Sequence, residues 1–145
     1  MNYEPYWDET MLMDVRGQNE GYLEQFFEYY RIKDYRNTLI VFDSLSNILR
    51  QNDNILFIKA MALMESGETE NPKSIFINII DHKRSRYIYQ SEWYLALLFL
   101  KEKNIEKANQ LLNKIKIDKQ SLYRNKAENL LRKVQLITSE SKKNE

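Results

Sequence analysis

The chain is predicted to be all-α, and three observations predict it. Its 145 residues hold only three Gly and two Pro, too few to punctuate a set of short strands. Neither an Asn-Gly nor an Asp-Gly hairpin turn occurs, and sustained period-two alternation is missing. Apolar residues instead return at helical spacing, as in Leu39, Phe42, Leu45 and Leu49, which fall on one stripe. Ten Tyr supply most of the aromatic content, and a ring with a hydroxyl suits half-exposed helical surfaces.

The elements follow in pairs. The first pair is expected over 18–32 and 35–50, the second over 54–66 and 71–82, the third over 87–101 and 105–115. A last helix is expected over 119–137, carried by Leu122, Tyr123, Ala127, Leu130, Leu131 and Val134. Asp34 and Asn104 stand where a side-chain oxygen caps the following helix, and Pro72 stands in a first turn, where a missing N–H costs little. The pairs repeat. Phe42, Phe76 and Leu112 occupy one column at separations of 34 and 36 residues, and the same steps relate Tyr29, Leu63 and Phe99, and Leu45, Ile79 and Ile115. Turn positions align as well: Lys33-Asp34, Gly67-Glu68 and Lys103-Asn104. The chain thus divides into an arm over 1–17, a repeat domain over 18–138 and a polar, disordered tail over 139–145.

Composition excludes much chemistry. A chain of this length buries roughly two-thirds of its unfolded surface and folds without metal or disulfide. With no Cys there are no zinc fingers, iron–sulfur clusters or thiol nucleophiles. The single histidine, His82, lies near a helix C-terminus beside Asp81 and reads as a surface or capping residue. Glu65, Glu68 and Glu70 lack the ligand alternation and glycine of a calcium loop, and Gly17, Gly21 and Gly67 are too scattered for a phosphate loop. Neither catalytic residues nor cofactor nor metal is expected. The longest apolar run, Trp93 to Leu100, is far below the ~18 residues of a membrane span, so no membrane insertion is expected. No basic n-region opens the chain, which makes the cytoplasm the default location, or the periplasm if the chain is the soluble part of a membrane-anchored protein.

Charge is uneven, with seven acids against one base in residues 1–30 and twelve bases against six acids in residues 101–145. An acidic front and a basic rear attract within a molecule or between copies; solvated faces are the plainer reading. Lys83, Arg84 and Arg86 beside Tyr87 and Tyr89 suggest phosphate contact with base stacking. The isoelectric point of about 7.8 speaks against nucleic acid as a partner.

The repeat resembles the tetratricopeptide repeat family. The third unit carries the resemblance best, through Trp93, Tyr94, Leu95, Ala96, Leu97, Phe99, Ile105, Ala108, Leu112 and Ile115. The first carries it through Tyr22, Phe26, Tyr29, Tyr35, Phe42 and Leu45, with Thr38 at the usual Ala; the second through Ala60, Leu63, Gly67 and Phe76, with Pro72 at the Ala. The third unit is also similar to repeats of membrane-anchored bacterial envelope proteins. The resemblance implies a right-handed superhelical stack of about three hairpins closed by a C-terminal capping helix, with the first helices lining a concave groove. Groove-facing offsets are then Leu23, Phe27, Tyr30 and Arg31; Phe57, Met61, Met64 and Glu65; and Trp93, Leu97, Leu100 and Lys101.

Nine of those twelve are apolar or aromatic, which rules out a carboxylate clamp, since a terminal carboxylate needs charge-assisted donors where Leu23 and Phe27 stand. The groove suits an apolar or amphipathic segment of a protein or peptide partner, and the expected function is a non-catalytic interaction module. Three alternatives stand beside it. The apolar stripes are core, packed on each other and on the last helix. Or the arm, with Tyr3, Tyr6, Trp7, Met11, Leu12 and Met13, fills the groove of a structural, self-associating chain with its acids toward the basic rear. Or, third, the basic C-terminal half binds nucleic acid.

Overall fold

A computed structural model describes residues 5–8, 11 and 21–141; among these every regular element is helical. The helices are α1 Gly21–Arg31, α2 Tyr35–Ser44, α3 Asn47–Arg50, α4 Asp53–Glu65, α5 Glu70–Asp81, α6 Ile88–Lys101, α7 Ile105–Ile117 and α8 Arg124–Ser141. They fall into two compact units, Met1–Tyr87 and Ile88–Glu145. Residues 18–20 of the expected first helix, most of the arm and residues 142–145 of the tail lie outside the described residues.

In the first unit α1 pairs with α2 and α4 with α5, while α2 and the short α3 pack on α4. The second helix of each pair shows one buried stripe: Thr38, Val41 and Phe42 on α2, and Pro72, Phe76 and Ile79 on α5. α4 differs. Ile55, Phe57, Ile58 and every residue from Ala60 to Met64 are buried, so this helix is apolar all round. Lys59 completes the α2–α4 contact by laying its ammonium 4.0 Å from the centroid of the Phe42 ring.

The second unit holds the pair α6/α7, with α8 packed on α7. α7 buries Ala108, Leu112 and Ile115, and α8 buries Ala127, Leu131 and Val134. α6 buries everything from Ser91 to Leu98, including the Glu92 carboxylate, which is 2% exposed and takes the Lys114 ammonium at 2.6 Å. A buried carboxylate needs such a partner.

The three turns close alike. Lys33 (φ 62°), Gly67 (φ 92°) and Lys103 (φ 61°) are left-handed. The next residue in each case donates its N–H to the carbonyl five residues back: Asp34 to Tyr29, Glu68 to Leu63 and Asn104 to Phe99, at 2.8, 3.1 and 2.8 Å. The left-handed residue donates to the carbonyl three before it, which is the Schellman pattern. Asp34 and Asn104 then cap α2 and α7 by accepting from Asn37 N–H and Lys107 N–H, whereas Thr69 makes no side-chain cap. A Cβ on Gly67 would meet nothing within 4 Å, so only backbone strain opposes it. Gly67→Ala is therefore expected to cost about 1 kcal/mol, and Lys33→Gly to gain about 0.5 kcal/mol. Thermal unfolding followed by circular dichroism reads both signs; a stabilising Gly67→Ala would contradict the left-handed closure.

Three sequence expectations need correction in detail. The helix expected over 35–50 breaks at Leu45, which is extended (ψ 151°), because the Ser46 hydroxyl accepts the Leu49 N–H and starts α3. Leu39 is half-buried, and the inward position on its turn belongs to Thr38, whose hydroxyl donates to the Asp34 carbonyl at 2.8 Å. The last helix begins at Arg124, after turns held by Asp118 and Ser121, and runs on to Ser141, into the stretch expected as tail.

Candidate functional site

The first unit presents a face built by α1 and α4. Leu23, Phe26, Phe27 and Tyr30 fall at the three- and four-residue spacing of one helical stripe, so α1 turns all four inward. From α4, Phe57, Met61 and Met64 are buried as well. Phe57 is stacked on Tyr87 at 5.1 Å and inclined to Phe76 at 5.8 Å, which sets the orientation of its ring. Arg31 stands exposed at the end of α1, where it donates to both Glu28 oxygens at 3.0 and 2.7 Å. That hydrogen bonding, with the guanidinium charge behind it, holds the Glu28 carboxyl below its ordinary range. Glu65 is half-buried; burial first, and then the Glu65 charge, push the Tyr35 hydroxyl above its ordinary range.

Residues 5–8 and 11 lie against this face. The Tyr6 ring meets Phe57 edge-on at 5.6 Å and 87°. Trp7 sits 6.4 Å from Phe27 and 6.0 Å from Tyr30. The Tyr30 hydroxyl donates to the Tyr6 carbonyl at 2.8 Å, and the Asn54 amide donates to the Met11 carbonyl. Met11 is fully buried, whereas residues 5–8 are half-buried. Asp8 accepts from the Tyr6 hydroxyl at 3.2 Å and lies 3.6 Å from the Arg86 guanidinium, which also rests over the Tyr87 ring at 5.1 Å. Tyr3, Leu12 and Met13, the other arm residues expected to fill the groove, lie outside the described residues.

In the second unit Trp93 and Leu97 are buried, Leu100 is half-buried and Lys101 is exposed. Trp93 stacks on Tyr123 at 5.4 Å and 16°. Of the nine apolar groove residues expected, eight are thus buried, six of them on α1 and α4.

Two residues of the arm's seat were not foreseen. Asn54 reads in sequence as an ordinary helix-start residue, and only its burial, at 2% exposure, marks it. Arg86 belongs to the basic run considered for phosphate contact, and nothing in that run marks it as an arginine that meets Asp8. His82 follows the end of α5, and its ring Nδ1 lies 3.1 Å from Asp53. Among the described residues no cluster of three His, Asp or Glu is placed to hold a metal ion, and no helix is long and apolar enough to cross a membrane. Compared with protein-family models, with curated proteins and with solved structures, the chain finds no match.

Proposed function

We propose that this chain is a non-catalytic interaction module of tetratricopeptide-like hairpins, and that its α1/α4 face binds an apolar or amphipathic protein segment now represented there by its own arm. The seating of Tyr6 and Trp7 on Phe57, Phe27 and Tyr30 carries this reading. Aromatic rings across two helices give a segment area and direction, and the Tyr30 hydroxyl takes a backbone carbonyl that any extended segment offers. The recurring left-handed turns and the 34- and 36-residue columns support the repeat assignment.

A second reading keeps the face permanently filled and makes the chain structural. Met11, fully buried with its carbonyl held by Asn54, favours it. The two differ in how readily residues 5–8 leave. For a displaceable arm, Tyr6→Ala/Trp7→Ala is expected to keep the helical circular dichroism of wild type and to raise the fluorescence of a bound hydrophobic dye several-fold. A folded double variant with unchanged dye binding would remove the face as a docking site.

A further inference from the structure

We propose that residues 6–8 are an internal copy of the ligand, so that the face selects a peptide segment in which two aromatic residues are followed by an acidic one. This rests on the proposed docking role of the α1/α4 face and adds the chemistry of what docks. Each of the three side chains has its own receptor. Tyr6 goes to Phe57 on α4, Trp7 goes to Phe27 and Tyr30 on α1, and Asp8 goes to Arg86 beyond α5.

The two kinds of contact divide the work. Hydrogen bonds from Tyr30 and Asn54 grip main-chain carbonyls, which every peptide presents, so they hold without selecting. The rings and the guanidinium select. Arg86 is aimed by the Tyr87 ring beneath it and borders a cleft that also carries Arg84 and His82. The cleft's own acid, Asp53, is engaged by the His82 ring. An acidic side chain arriving there gains a charge-assisted contact, whereas a lysine meets like charge. Residues 5–8 have no helix or strand of their own and stay half-buried, while Phe27, Tyr30 and Phe57 beneath them are buried. Such a segment opens at lower cost than the core it covers.

The test uses the full chain and a fluorescein-labelled peptide of the sequence of residues 4–11, EPYWDETM, read by fluorescence anisotropy. A tethered arm competes at an effective concentration on the order of millimolar. Tyr6→Ala/Trp7→Ala is therefore expected to bind the peptide at least about tenfold tighter than wild type does. A peptide with lysine in place of the aspartate is expected to bind that variant at least about fivefold more weakly, and adding Arg86→Glu to the variant is expected to reverse the preference. Should the double variant unfold, Asp8→Lys loosens the arm while keeping both aromatic rings and is expected to raise peptide affinity over wild type. Equal binding of the aspartate and lysine peptides would overturn the selectivity; if the dye still reports an uncovered face, the docking role itself survives. Peptide binding no tighter to the arm variants than to wild type overturns the internal-copy claim. Sedimentation velocity in which wild type dimerises and the double variant does not would also overturn it, assigning the seat to the arm of a second copy.

Discussion

Phe57→Ala is expected to lower unfolding free energy by about 3–5 kcal/mol, the range for emptying a buried aromatic site. Phe57 is fully buried on α4, and its ring touches Tyr87, Phe76 and Tyr6, at 5.1, 5.8 and 5.6 Å. Truncation removes its own burial and three ring contacts at once, and such ring pairs add about 0.5–1.5 kcal/mol each beyond area. Collapse cannot close the gap easily, because α5 and the residues before α6 hold two of the three neighbours. Against a total of about 5–15 kcal/mol for a domain, that loss is a large fraction. Urea unfolding followed by circular dichroism measures it; Phe57→Leu, which keeps much of the volume, is expected to lose less than half as much. A loss under about 1 kcal/mol for Phe57→Ala would show that the ring is not part of this unit's core.

Trp93→Ala is expected to cost about 3–4 kcal/mol. Trp93 is 9% exposed and lies flat on Tyr123, which stands just before α8. Losing the indole leaves Tyr123 without its stacking partner and loosens the start of α8 in the second unit. The measurement separates core from contact. A residue serving chiefly as a partner's anchor would leave the midpoint of unfolding in place and cost about 2 kcal/mol in binding alone. Trp93 in its observed setting is expected to move the midpoint first. A melting curve unchanged from wild type would overturn the assignment of the indole to the core.

Much of the all-helical pattern was legible because it rests on local rules. Asp34 and Asn104 cap the helices they precede, and the three turns fall at the aligned positions 33, 67 and 103. The Thr38 and Pro72 departures fit the same column as Ala108: the Thr38 hydroxyl is satisfied by the carbonyl four residues back, and Pro72 is the third residue of its helix. The break at Leu45 was not legible, since its apolar spacing continues through it and only the competition of the Ser46 hydroxyl stops the helix. Site residues were harder. Spacing marks which side of a helix is apolar, but not whether that side meets a helix, an arm or solvent. Phe57 satisfies the first and the second at once, against Phe76 of α5 and Tyr6 of the arm, which no periodicity distinguishes. Arg86 required knowing where Asp8 lies, across 78 residues of chain.

The three corners carry a consequence for how such a chain tolerates change. Both hydrogen bonds closing each corner run from main chain to main chain, so Lys, Gly and Lys fill the same place without any shared side-chain chemistry. What is demanded there is the chirality of one torsion, which many residues meet at modest expense. The letters at a corner are at liberty to drift while the path of the polypeptide stays put, and resemblance between neighbouring segments survives in spacing long after it has faded from spelling.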